Sequence, residues 1–110
     1  MDLLTKTLTA ITRVNLVDLK LYDLENKNPF YNFVLVATGT TRQANAVLGY
    51  LKEELKNAYE IRGIEGKLSG WLLIDLGELI IHLFDDETRK YYKFDERFVK
   101  VKEIEITNQT

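Results

Sequence analysis

Residues 64–98 give the strongest indication of the fold and read IEGKLSGWLLIDLGELIIHLFDDETRKYYKFDERF. Two runs of apolar and β-branched residues, Trp71–Asp75 and Leu79–Phe84, predict a pair of neighbouring strands. Between them stands Leu76-Gly77-Glu78, and glycine at the first central position favours a two-residue type II′ turn. We therefore expect a β-hairpin with its turn over Gly77 and Glu78.

The turn also fixes which residues face each other across the hairpin. It pairs Asp75 with Ile80, Leu73 with His82 and Trp71 with Phe84. Because side chains alternate along a strand, each strand contributes every second residue to each face. One face is aliphatic and predicted to be core: Leu72, Ile74, Leu79, Ile81 and Leu83. The other face carries Trp71, Leu73, Asp75, Ile80, His82 and Phe84.

This second face has two interpretations from the residues alone. It is either an ordinary second core layer or an exposed aromatic patch with the composition of an interface centre. If a helix covers the face, His82 and Asp75 need buried partners and would serve each other diagonally across the strands.

The remaining sequence supplies the other elements of a single α/β domain. Amphipathic spacing predicts the helices, and Thr40 with Gln43 forms a capping box for the second. Asp85 or Asp86 caps the third helix, which ends at Tyr92. We expect a mixed sheet of about five strands flanked by helices, while residues 99–106 form either a terminal strand or an appended arm. The first two helices span 2–13 and 41–58, and the strands span 17–22, 33–37, 59–65, 71–75 and 79–84.

Composition narrows the possible partners. The chain has 110 residues, 15 basic and 17 acidic side chains, a net charge of −2 and no cysteine. A mildly acidic domain is poorly suited to gripping nucleic acid through its phosphates, which takes a basic stripe. No apolar run approaches the ~20 residues of a membrane span. We therefore expect a cytoplasmic protein that binds neither membrane nor nucleic acid directly.

The residue types present disfavour two kinds of site, a nucleotide-binding catalytic site and a metal site. Gly39-Thr40-Thr41 follows a buried strand and opens a helix, an arrangement that can hold a phosphate and resembles the start of nucleotidyltransferase folds. Such enzymes need converging carboxylates for magnesium, and Arg62 falls where an acid is wanted. One histidine and no cysteine make a metal site improbable, so we expect no catalytic residues, metal or cofactor.

The chain from about Asp18 to Phe98 resembles the ribosomal silencing factor (RsfS, Iojap-like) family. The resemblance is most specific in the second half, where a Glu-Gly, Trp, Asp-x-Gly, His-x-Phe, Arg-x-x-Tyr series occurs in order and spacing. Phe98 stands where the family usually has tryptophan, and residues 99–110 lie beyond the usual family end. The matching landmarks are Val36-Ala37-Thr38-Gly39, Thr41-Arg42-Gln43, Glu65-Gly66, Trp71, Asp75, Gly77, His82, Phe84, Arg89, Tyr92 and Glu96.

The resemblance implies a nucleotidyltransferase-like fold without catalysis, with a silencing factor domain over 1–98 and a C-terminal extension over 99–110. It implies binding to the large ribosomal subunit through ribosomal protein fourteen, a block on joining of the small subunit, repression of translation and a part in large-subunit biogenesis. The alternatives are a nucleotide-using enzyme built on Gly39 and a homodimeric interaction module. The predicted partner-binding residues are Trp71, Leu73, Asp75, Ile80, His82, Phe84, Arg89 and Tyr92.

Overall fold

The computed structural model describes residues 2–67 and 69–106, and it contains one six-stranded mixed sheet with helices on both faces. The strands lie in the order β3-β4-β5-β2-β1-β6, with β2 and β5 parallel and the other neighbours antiparallel. The elements in chain order are α1 (Leu3–Ile11), β1 (Val17–Asp23), β2 (Phe33–Thr38), α2 (Thr41–Leu55), β3 (Gly63–Glu65), β4 (Trp71–Asp75), β5 (Leu79–Phe84), α3 (Asp86–Tyr92), a 3₁₀ helix (Phe94–Phe98) and β6 (Lys102–Ile104).

The predicted fold class and element order are confirmed, with differences at the ends of elements. The strand expected over 59–65 begins only at Gly63, because the Ala58 and Tyr59 N–H groups donate to the Leu55 carbonyl in the turn that follows α2. Helix α2 ends at Leu55, earlier than the expected residue 58, and Asn57 in the turn that follows has φ +66°. Residues 102–104 form β6 beside β1, so the terminal-strand alternative holds there. Residues 107–110 of the predicted extension lie outside the described residues.

The hairpin has the predicted register, with Asp75 opposite Ile80, Leu73 opposite His82 and Trp71 opposite Phe84. Gly77 has φ +88°, a value that glycine adopts without steric cost. The Asp75 carboxylate accepts a 2.8 Å hydrogen bond from the Gly77 N–H and so stabilises the turn. The short, locally specified turn therefore determines which side chains reach each face.

The aliphatic face of the hairpin forms the main core against α1 and α2. Its five predicted members are at most 2% exposed. Helix α2 begins with the predicted capping box, in which Thr40 and Gln43 exchange side-chain to backbone hydrogen bonds of 2.8 and 3.1 Å. Burial of each Leu or Ile side chain contributes about 1.5–3 kcal/mol before entropy is counted, so this layer holds the sheet to the helices.

The opposite face is covered over only part of its width. The 3₁₀ helix lays Phe98 on Tyr22 of β1, with ring centroids 4.5 Å apart, and Phe94 on Phe84 of β5, at 4.9 Å. Phe94 is only 2% exposed. Strands β1, β2 and β5 thus gain a second, smaller core, and the β4 edge of the same face keeps partial contact with solvent.

Arg89 connects the segment formed by α3 and the 3₁₀ helix to the sheet through hydrogen bonds. Its guanidinium donates two hydrogen bonds to the Asp95 carboxylate, at 2.8 and 2.9 Å, and two more to the Asp18 carbonyl and the Thr38 hydroxyl. Asp18 has φ +50° within an irregularity of the β1–β2 pairing, which turns its carbonyl toward the guanidinium. The side chain joins α3, the 3₁₀ helix, β1 and β2, and its role is structural.

Candidate partner-binding surface

The uncovered part of the second face is a continuous patch along β4 and its neighbours. Trp71, Leu73 and His82 are half-buried there, and Tyr92 of α3 is 48% exposed beside them. These four residues are called the aromatic surface below. An apolar patch that stays partly exposed on a small domain is a typical feature of a protein interaction site.

Trp71 is the centre of the aromatic surface and is held on several sides. Its ring centroid lies 4.8 Å from that of Phe84, 5.2 Å from that of Tyr92 and 6.0 Å from that of Phe94. Inclined aromatic pairs at these separations contribute about 0.5–1.5 kcal/mol each beyond the burial of area. The indole is therefore preorganised, and little side-chain freedom remains to be lost when a partner binds.

His82 accepts a hydrogen bond at Nδ1 from the indole N–H of Trp71, at 3.1 Å. Acceptance at Nδ1 requires a neutral ring with its proton on Nε2. Burial and, to a smaller extent, the positive charge of Arg97 lower the pKa of His82 to about 4, so the ring is neutral near pH 7. Among the described residues none accepts a hydrogen bond from Nε2.

The structure corrects the expected pairing of His82 with Asp75. The Asp75 carboxylate accepts from the Gly77 N–H, whereas His82 accepts from the indole N–H of Trp71 on the neighbouring strand. Trp71 and His82 lie diagonally across the two strands, a separation that a long side chain can span. Asp75 and His82 therefore each have a partner close by, and they are not bonded to each other.

Three of the predicted partner-binding residues lie in the interior. Phe84 is 1% exposed, Ile80 9% and Arg89 7%, so none of them presents a contact area to another protein. Phe84 lies beneath Phe94, while Arg89 is enclosed by its own hydrogen bonds. These three residues belong to the interior of the domain. The accessible members of the predicted set are Trp71, Leu73, Asp75, His82 and Tyr92.

Tyr91 is an exposed aromatic residue that the sequence prediction omitted. It is 78% exposed, and its ring lies 4.9 Å from that of Tyr92 at an angle of 88°. The adjacent tyrosines at the end of a short helix were the available signal, since two neighbours on a helix cannot both face the core. Tyr91 extends the exposed aromatic side chains beyond the aromatic surface.

The Gly39 turn is occupied by the protein's own groups. A Cβ at this glycine would lie 2.5 Å from Leu16 Cδ2 and 2.9 Å from Gln43 Oε1. The Gln43 N–H that a phosphate would need donates instead to Thr40. Within residues 2–67 and 69–106, no cluster of three or more His, Asp or Glu side chains has the arrangement of a metal site. The turn fits a helix cap.

Comparison of the sequence with known protein families gives a match over the whole chain. A family model described as "ribosomal silencing factor during starvation" matches residues 1–110. The chain belongs to the ribosomal silencing factor family. The match runs through residues 99–110, which the sequence analysis placed beyond the usual end of the family. The family is named for a regulatory role, and that is the role at which the resemblance pointed.

Individual relatives support the assignment. Ribosomal silencing factor RsfS of Haemophilus influenzae is 30% identical over 97 residues, covering 86% of this chain and 92% of the relative. Crystal structures of proteins from Bacillus halodurans and Chromobacterium violaceum superpose with TM-scores of 0.80 and 0.79. Each is 24% identical to this chain and aligns over at least 94% of both chains, which shows a shared fold. None of the helices within 2–67 and 69–106 has the length and apolarity needed to cross a membrane.

Proposed function

We propose that this protein binds the large ribosomal subunit through ribosomal protein fourteen, prevents the small subunit from joining and so represses translation without catalysis. The aromatic surface is the observation on which this proposal rests. It offers a rigid indole, an apolar neighbour and an unused imidazole N–H, which together suit a protein partner. Family membership supplies the class of particle to which that partner belongs.

A body of this size is sufficient for a steric block. The molecule measures 36 × 32 × 29 Å along its principal axes. Two ribosomal subunits must approach to van der Waals distance at their bridges, and a globule of about 30 Å on one of them keeps them apart. Occupancy is all that such a mechanism requires, provided that an interface of roughly 800 Å² per side holds the domain in place.

Charge favours the same class of partner. Glu78 is exposed at the tip of the hairpin, and Asp85, Asp86 and Glu87 follow β5. Acidic groups around an apolar centre accelerate association with a basic protein and disfavour bare RNA. These groups explain orientation and speed of binding, whereas the apolar centre explains most of the affinity.

The proposal is tested by sedimentation with purified ribosomal subunits. The wild-type protein is expected to co-sediment with large subunits and not with small ones. It should also reduce the formation of joined ribosomes. Trp71→Ala should weaken binding by more than ~2 kcal/mol because it removes the central anchor. Tyr59→Ala is the matched control, since Tyr59 is 40% exposed and follows α2, which packs on the opposite face of the sheet.

Two results would count against the proposal. Wild-type protein that fails to sediment with large subunits would overturn it, and a folded Trp71→Ala protein that binds normally would remove the indole from the interface. A second copy of the chain is the competing occupant of the aromatic surface. Light scattering over a range of concentrations measures that self-association, and the Trp71→Ala variant shows whether the two partners share a surface.

A further inference from the structure

A groove of about 430 Å³ adjoins the aromatic surface between α3 and the start of β4. Only two of its residues belong to the predicted partner-binding set, and the others come from α3 and from the loop that precedes β4. The groove is lined by Ser69, Trp71, Glu87, Thr88, Tyr91 and Tyr92.

Three aromatic rings border this groove at different inclinations. The Tyr91 and Tyr92 rings are 4.9 Å apart at 88°, and the Tyr92 and Trp71 rings are 5.2 Å apart at 49°. Rings arranged in this way around an open space resemble the cages in which proteins receive cationic groups, because the faces of aromatic rings attract positive charge. An ammonium or guanidinium group that enters the groove meets more than one ring.

The carboxylates at and near the groove differ in their side-chain partners among the described residues. Asp85 caps α3 by accepting from the Thr88 N–H, and Asp86 forms an ion pair with Lys90 at 2.9 Å. Glu87 makes no hydrogen bond or ion pair with any side chain in the described part of the molecule, and it faces the groove. The helix N-terminus accounts equally for all three acids, so it does not explain why Glu87 alone lines this space.

We infer that the groove receives a lysine or arginine side chain of the partner protein, with the tyrosines beside its charged head and Glu87 as its counter-ion. This inference rests on the proposed function and adds the chemistry of one contact to it. An apolar side chain in the groove would bury Glu87 and two hydroxyl groups without partners, which is costly. A phosphate would meet the carboxylate as a like charge.

The test compares variants with equal changes in net charge. Glu87→Gln and Asp86→Asn each remove one negative charge from neighbouring residues, but only Glu87 lines the groove. With isolated large subunits at low salt, Glu87→Gln should weaken binding about fivefold or more, and Asp86→Asn less than twofold. Raising the salt concentration should shrink the effect of Glu87→Gln, because screening weakens the ionic contact in the wild-type complex.

A second pair of variants tests the rings. Tyr91→Ala should weaken binding several-fold, and Tyr91→Phe should restore it, since phenylalanine keeps the ring. Wild-type binding by Tyr91→Ala, together with equal effects of Glu87→Gln and Asp86→Asn, would overturn the inference and leave the proposed function standing. Failure of the wild-type protein to bind large subunits would overturn both.

Discussion

His82 and Trp71 hold each other through a single hydrogen bond, and the same bond makes the surface sensitive to acid. The imidazole accepts at Nδ1 only while it is neutral, and burial together with Arg97 keeps it neutral by lowering its pKa to about 4. In the unfolded chain the pKa of a histidine is about 6.5. The folded state therefore binds fewer protons than the unfolded state between these two values.

This difference predicts a loss of stability on mild acidification. Because the folded pKa is depressed, the stabilising contribution is present above about pH 6.5 and declines as the pH falls toward 4. Going from pH 7 to pH 5 should cost the wild-type protein about 2 kcal/mol of unfolding free energy, measured by urea denaturation at each pH. His82→Gln, which has no titrating group, should show a much smaller change. Equal pH dependence in both proteins would contradict the assignment.

The face on which Trp71 and His82 lie could be predicted from the sequence, but the hydrogen-bond partner of His82 could not. Alternation along the strands is a local property, so it placed Trp71 and His82 correctly on one face. His82 is bonded to Trp71, whereas Asp75, its expected partner, accepts from the Gly77 N–H, which competes with His82 for that carboxylate. A competition of this kind is decided by the geometry of the turn, and residue type alone does not reveal it.

At the scale of elements, the segment from α3 through the 3₁₀ helix determines how much of the second face is exposed. The turn between β4 and β5 was predictable because glycine occupies the position that needs positive φ. The covering by Phe94 and Phe98 was not, because these residues follow a left-handed Lys93 and have no regular spacing with the hairpin. The second face is thus buried at Ile80 and Phe84 of β5 and partly exposed at His82 and along β4, so each interpretation describes part of it.

Arg89 is the residue on which this covering depends, and its replacement by lysine tests that role. Lys keeps the positive charge but cannot make the paired hydrogen bonds to Asp95 together with those to Asp18 and Thr38. Arg89→Lys should lower the unfolding free energy by about 2–4 kcal/mol and shift the emission of Trp71, the single tryptophan, to longer wavelength. Lys90→Ala breaks only an exposed ion pair and should cost less than about 1 kcal/mol. A loss below about 1 kcal/mol for Arg89→Lys as well would show that the buried hydrogen bonds of Arg89 are dispensable.

For the whole molecule, the C-terminal segment supplies one edge of the sheet, and β3 supplies the other. Residues 102–104 extend the sheet beside β1, and Ile104 and Ile106 pack against the main core. Val101 packs against the smaller core on the other face. Residues 99–106 therefore contact both layers of the domain, although the division of the chain at residue 98 stays a prediction.

Truncation after Phe98 tests that division directly. If residues 99–110 are a separable extension, the shortened protein should unfold at the same urea concentration as the full chain. The contacts of β6 favour a different result: loss of its ladder hydrogen bonds and of two half-buried isoleucines should lower the unfolding free energy by about 2 kcal/mol. The truncation also exposes the edge of β1, so the shortened chain should self-associate more readily in light scattering. Val99→Ala, which alters a 78% exposed side chain in the same segment, should leave both measurements unchanged.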